Sequence, residues 1–160
     1  MKNINEQLLD ASRRGDIDKI KELLDSGADI ETKNDNDDTP LLWASSAGFD
    51  NAVKLLLERG ANTEAKTKSG NYPIIFASRI GAFKMVRLLL EYAANINVHN
   101  YSGYSCLNNL CEIWFDETIQ ELIINKQPHN IKFFDDEIGI LPEFKIKYKE
   151  VIEMSKMGLF

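Results

Sequence analysis

The run TPLLWASSAG, Thr39 to Gly48, followed by LLLERGAN at Leu55 to Asn62, returns 33 residues later. There it reads YPIIFASRIG, Tyr72 to Gly81, followed by LLLEYAAN at Leu88 to Asn95. One step towards the start it reads EQLLDASRRG, Glu6 to Gly15, followed by LLDSGAD at Leu23 to Asp29. A fixed period of this length belongs to chains built from stacked supersecondary units, each too small to bury its own apolar face. The period therefore constrains the fold more than any single residue does, and it directs the search for function to the surface of the stack.

Residues 5 to 26 read as two helices joined at Arg14 to Asp16, with Leu8, Leu9, Ala11 and then Ile17, Ile20, Leu23, Leu24 at helical spacing. Gly15 breaks the pair, and Gly27 stands where a helix end needs left-handed backbone. Arg13, Arg14, Lys19 and Lys21 are the charged positions expected of an end unit, which has a neighbour on one side only. The second and third units begin near Asn34 and Thr67, each with a polar turn. Thr39 is a suitable N-cap, and Pro40 and Pro73 fit the first helical turn, where a missing N–H costs nothing. Short first helices are expected over Leu41 to Ala47 and Ile74 to Ile80, with Ala44 and Ala77 allowing close approach of the next pair. The second helices carry Leu55 to Leu57 and Leu88 to Leu90 as the wall between units. Asp29-Ile30, Asn62-Thr63 and Asn95-Ile96 open extended segments that lead into hairpin-like fingers.

With its Thr-Pro-Leu step, small residues, turn glycine, leucine pair and Gly-Ala-Asp-like ending, the chain resembles the ankyrin-repeat family. The resemblance covers about residues 5 to 126. It implies an all-α ankyrin-repeat solenoid of about four helix-turn-helix units with finger-like hairpin turns. The expected organisation is an N-terminal capping repeat over 1–33, repeats over 34–66 and 67–99, and a degenerate repeat over 100–126. Two departures matter. Asp37 stands where the other fingers have Gly70 and Gly103, so the finger before Thr39 is expected to be loosened or reshaped. In the fourth unit Cys106 replaces the proline, Leu110 the alanine and Trp114 the inter-helix glycine, bulk that should push its helices apart.

Residues 127–160 leave the period. Pro142 starts a helix expected to run through Met157, with Phe144, Tyr148, Val151 and Ile152 on one stripe. This segment reads as a C-terminal capping helix over the last unit, or as a docking helix for a partner with the repeats as platform.

Composition excludes several functions. A net charge of -6 and a pI near 5.0 oppose nucleic-acid binding, which needs a basic field, and confer no attraction to anionic membranes. The first residues lack the apolar core of a signal peptide, and no apolar run approaches the length of a membrane span. Cys106 and Cys111, five apart in one predicted helical unit, are poorly placed for a bridge and suit a reducing compartment. A cytoplasmic protein is expected, or a secreted effector acting in a host cytosol. The run Asn34 to Asp38 imitates the start of a calcium loop, but Thr39 and Ser45 stand where glycine and the bidentate glutamate belong. His99, Cys106, Cys111 and His129 match no closed zinc spacing. No phosphate-cradling glycine loop or serine elbow is present, so no catalytic residue, metal or cofactor is assigned. A thiol-dependent enzyme using Cys106 or Cys111 would need a histidine to meet it across the fold.

The resemblance implies that a protein partner is held on a concave face formed by the finger tips and the exposed side of each first helix; one partner, a monomeric chain and no enzymatic activity are expected. Carried over by position, the finger residues are Lys33, Asp35, Asn36 and Asp38, then Lys66, Lys68, Ser69 and Asn71, then His99, Tyr101, Ser102 and Tyr104. The first-helix residues are Arg13, Arg14, Ser46, Ala47, Arg79, Ile80, Glu112 and Ile113. Tyr101, Tyr104, Ile80 and Ile113 concentrate apolar surface towards the C-terminal half of that face, with arginine nearby, the mixture enriched at binding hot spots. Trp43, the residue before Ala44, is read as packing rather than contact. The expected mode of action is occlusion, as an inhibitor or adaptor.

Overall fold

A computed structural model describes residues 2–106 and 109. Among these residues lie six helices: α1 Ile4–Arg14, α2 Ile17–Asp25, α3 Pro40–Ala47, α4 Asp50–Glu58, α5 Pro73–Arg79 and α6 Phe83–Glu91. They form three helix pairs. The first helices stand in one row, α1 on α3 and α3 on α5, and the second helices in another, α2 on α4 and α4 on α6.

Local chemistry sets the helix ends. The Asn3 side chain accepts the Glu6 N–H at 2.8 Å while the Glu6 carboxylate accepts the Asn3 N–H at 3.1 Å, a reciprocal cap that starts α1. Asp16 caps α2 through the Lys19 N–H at 3.0 Å, and Thr39 caps α3 through the Leu42 N–H at 3.3 Å. Pro40 and Pro73 each fall in the first turn. Gly15 ends α1 with φ 69, and a Cβ built there would lie 2.6 Å from the Phe49 ring. Glycine is therefore required twice over, by the left-handed backbone and by the next unit's aromatic ring.

The core runs the length of the described stack. Leu8, Ile20, Leu41, Leu56, Ile74, Ile75, Met85 and Leu89 are all fully buried. Between rows of such side chains sit Ala11, Ala44 and Ala77, one period apart, whose lack of bulk lets adjacent first helices touch. The leucine wall is selective: Leu56, Leu57, Leu89 and Leu90 are buried, whereas Leu55 and Leu88 are half-buried. Next to the alanines runs a second column, Ser12, Ser45 and Ser78, also buried. Ser78 Oγ donates to the Ile75 carbonyl and accepts from Asn109 Nδ2, but Ser12 and Ser45 hydroxyls find no partner among the described residues.

The three fingers share one turn. Asn34, Thr67 and Asn100 each donate a backbone N–H to the carbonyl four residues on, at 3.2, 3.1 and 2.9 Å. Asp37, Gly70 and Gly103 return an N–H to the carbonyl three residues back, with φ of 62, 80 and 82. The finger carrying Asp37 is therefore not reshaped, contrary to the expectation from its missing glycine. Asn34 Oδ1 accepts the Asn36 and Asp38 N–H groups at 2.8 and 3.0 Å and holds the loop around an aspartate in the left-handed region, which aspartate tolerates better than most residues. Adjacent fingers are joined by single backbone bonds, Lys68 N–H to Asn36 O at 2.9 Å and Tyr101 N–H to Ser69 O at 3.2 Å. Cys106 is buried where earlier units have proline. The substitutions Leu110 and Trp114, Cys111, His129 and the cap or docking segment 127–160 lie outside the described residues.

Candidate functional site

Fingers and first helices contribute to one side of the stack, and the anticipated contact residues divide there by how much of each side chain is committed. Arg13, Arg14, Lys33, Asp35, Asn36, Lys66, Lys68, Arg79, Ile80, His99, Tyr101 and Tyr104 are exposed. Tyr101 at 72%, Tyr104 at 56% and Ile80 at 46% are the largest apolar exposures in the third finger and on the end of α5. Asp38 and Asn71 are half-buried and employed inside the fingers. Asp38 Oδ2 accepts from Asn34 Nδ2 at 2.9 Å, and Asn71 bonds both Ser69 Oγ at 2.9 Å and Asn100 Nδ2 at 2.7 Å. Ser46 is half-buried, its hydroxyl returned to the Trp43 carbonyl at 3.0 Å. Glu112 and Ile113 lie outside the described residues.

Several of the exposed groups are held in place by packing. Tyr101 lies across Gly70, so close that a Cβ there would be 2.9 Å from its ring, and Lys66 Nζ stands 5.7 Å from the ring centroid. Arg79 lies over Phe76 at 5.0 Å on the same helix. Arg13 reaches across to the next unit and lies 5.9 Å from the centroid of Trp43. Such contacts contribute about 0.5–1 kcal/mol each at exposed sites, and they pre-order cations that would otherwise sample many rotamers.

Trp43 and Phe76 occupy the same place in successive units, with Asp10 one period before them. Trp43 is half-buried and lines an open hollow of about 320 Å³ with Leu9, Asp10, Arg13, Asn34, Lys2 and Glu6. Trp43 thus packs and also faces the same side as the fingers. The sequence carried a signal for this, since shifting Trp43 by the period lands on Phe76, another aromatic ring at a position flanking the alanine column. Asp10 is the other residue that sequence reasoning passed over. Its carboxyl is held below the usual carboxylate range, chiefly by the hydrogen bond from Lys2, with the Lys2, Arg14 and Arg13 charges adding to it and partial burial opposing it.

Ion pairing differs between the two rows. Lys19–Glu22 at 2.7 Å, Lys54–Glu58 at 3.9 Å and Arg59–Asp25 at 2.8 Å belong to the second helices and their ends. On the finger side, Lys2 pairs with Asp10. Arg13, Arg14, Lys33, Lys66, Lys68 and Arg79 make no ion pair among the described residues. The arrangement offers fixed cations and exposed aromatic rings for recognition.

Repeats of helix pairs with glycine- or aspartate-turned fingers, stacked in two rows, define a helical repeat protein. The family profile for ankyrin repeats (3 copies) matches residues 8–100, and the chain belongs to the ankyrin-repeat family. No curated protein matches it. Ankyrin repeats are generic protein-protein interaction modules, typically without enzymatic activity, so a protein partner is the class of ligand to consider. Among the described residues no helix is long and apolar enough to cross a membrane.

Proposed function

We propose that this chain is a non-enzymatic, monomeric interaction module that binds one protein partner on the face made by its fingers and first-helix ends, and that it acts by occlusion as an inhibitor or adaptor. The observation that carries the reading is the exposure of Tyr101, Tyr104 and Ile80, with the exposed Arg79 next to Ile80 at the end of α5. Large aromatic and arginine side chains on a pre-ordered scaffold lose little freedom on binding, which favours their use as anchors. The remaining anticipated residues, Arg13, Arg14, Lys33, Asp35, Asn36 and His99 among them, would surround those anchors and set register. The spacing of Cys106 and Cys111 supports work in a cytosol, its own or a host's.

The test uses the partner that co-purifies with the native protein, identified by mass spectrometry. Combining Tyr101→Ala, Tyr104→Ala and Arg79→Glu should weaken that complex at least a hundredfold while the variant keeps its helical circular dichroism. A folded variant that binds as tightly as wild type would remove the finger side from consideration.

A further inference from the structure

Charge along the fingers is not uniform. The first finger, residues 32–38, carries Asp35, Asp37 and Asp38 against Lys33. The second, residues 65–71, carries Lys66 and Lys68 and no acid, and the third, residues 98–104, carries neither Lys, Arg, Asp nor Glu. Basic charge therefore gathers around the second finger and the end of α5, where Arg79 projects, in a chain whose net charge is -6. These three cations form no ion pair among the described residues, whereas Lys19–Glu22 and Lys54–Glu58 pair within α2 and α4 and Arg59–Asp25 joins their ends. Lys66 and Arg79 are in addition held over the rings of Tyr101 and Phe76. Cations without a carboxylate partner among the described residues, two of them pre-ordered on aromatic rings and bordered by the exposed Tyr101 and Ile80, are complementary to carboxylates carried on a partly apolar segment.

We propose, resting on the reading of this face as the binding face, that its C-terminal half takes an acidic segment of the partner protein, with carboxylates on Lys66, Lys68 and Arg79 and an apolar or aromatic side chain against Tyr101. Geometry limits the spacing of those carboxylates. The second finger precedes α5 and Arg79 closes it, and seven residues of helix rise about 10 Å at 1.5 Å each. An extended chain covers that distance in about three residues. The segment therefore presents acidic side chains three or four residues apart. The aspartates of the first finger repel the same segment, which confines it to the second and third fingers and the end of α5.

The experiment titrates the full ¹⁵N-labelled chain with an acetylated 12-residue peptide of Glu, Tyr and Gly whose carboxylates are three residues apart, with the same peptide bearing Lys for Glu, and with a short DNA duplex. The acidic peptide should shift the amides of 66–71, 79–80 and 101–104. Its affinity should fall at least tenfold in the Lys66→Glu, Lys68→Glu double variant, whose own spectrum reports its fold, and should fall several-fold between low and 300 mM salt. The Lys peptide should leave those amides in place. Shifts at those amides by the Lys peptide instead, or no shift by either peptide, would overturn the acidic assignment and leave the binding face itself to the Tyr101 and Tyr104 variants. Shifts confined to α2 and α4 would overturn both, and matching shifts with the duplex would overturn a protein segment as the ligand.

Discussion

Glu31 Oε1 accepts the backbone N–H of Asn62 at 2.7 Å, and one unit later Glu64 Oε1 accepts that of Asn95 at 3.0 Å. In the first unit Asn5 Oδ1 plays the same part for Asp29 at 2.9 Å. Each recipient then folds its own side chain back on the residue two further on: Asp29 to Glu31, Asn62 to Glu64, and Asn95 to Asn97, all at 2.9 Å. The two sets interlock, so that the residue receiving one bond positions the acceptor of the next. The segments before the fingers are thereby registered from unit to unit. A charged acceptor on a partly exposed amide contributes about 1 kcal/mol after solvent competition. Glu64→Ala should lower stability by about that amount in urea denaturation. Glu64→Gln should recover part of the loss, because an amide oxygen still accepts.

Gly15 and Gly60 separate two effects of the same substitution. Both have positive φ, 69 and 87, but a Cβ at Gly60 meets nothing within 4 Å whereas one at Gly15 meets the Phe49 ring. Gly60→Ala should cost about 1 kcal/mol, the strain of left-handed backbone alone. Gly15→Ala should cost about 1–3 kcal/mol more because the ring must move. Phe49→Ala in the Gly15→Ala background should then cost less than Phe49→Ala alone, and a thermodynamic cycle by chemical denaturation measures the difference.

The buried hydroxyl of Ser45 has no partner among the described residues and lies inside α3. Replacing it removes an unsatisfied polar group and substitutes a better helix former. Ser45→Ala should raise stability by about 0.5–2 kcal/mol, read as a higher urea midpoint at unchanged slope. Ser78→Ala, which loses the contact with Asn109 Nδ2 at 3.1 Å, should not show that gain.

The depressed Asp10 carboxyl has a defined pH signature. Its folded-state ionisation lies below the unfolded value, so the stability it supplies is present above the ordinary carboxylate range, near pH 4, and is lost as pH falls through the folded value. In a stability profile from pH 6 to 2, Asp10→Asn should show a shallower acid limb than wild type, and added salt should shrink the difference because the Lys2 side of the pair is exposed.

Asp37 tests how the first finger tolerates its missing glycine. Asp37→Gly should raise stability by up to about 1 kcal/mol, since φ 62 carries no strain for glycine. Asp37→Val should lower it by at least about 1 kcal/mol, because a β-branched side chain is poorly accommodated there. Thermal melts of the three proteins order these outcomes.

Most of the scaffold was legible in the order of residues because the relevant forces are local and periodic. Thr39 and Pro40 define a helix start through one hydrogen bond and one fixed torsion, Gly15 and Gly27 define ends through one backbone conformation, and Ala44 and Ala77 mark close approach through size alone. The candidate face was legible as a set of positions, since a period that places one finger places the next. What was not legible is how each of those side chains is occupied. Asp38 and Asn71 fall on contact positions by the period, yet their polar atoms bond within and between fingers. The Asp37 finger was expected to differ and does not, because Asn34 Oδ1 clamps it.

By itself, then, the sequence determined the period, the helix boundaries, the turn residues and the family, all set by interactions within a few residues or by strict repetition. Tertiary structure alone decided that Arg13 crosses to Trp43, that Lys66 settles over Tyr101, and that Arg59 at the end of α4 pairs with Asp25 of α2. Those contacts join residues about one period apart through side-chain reach and direction, which depend on how the units stack, and no local rule of spacing encodes them.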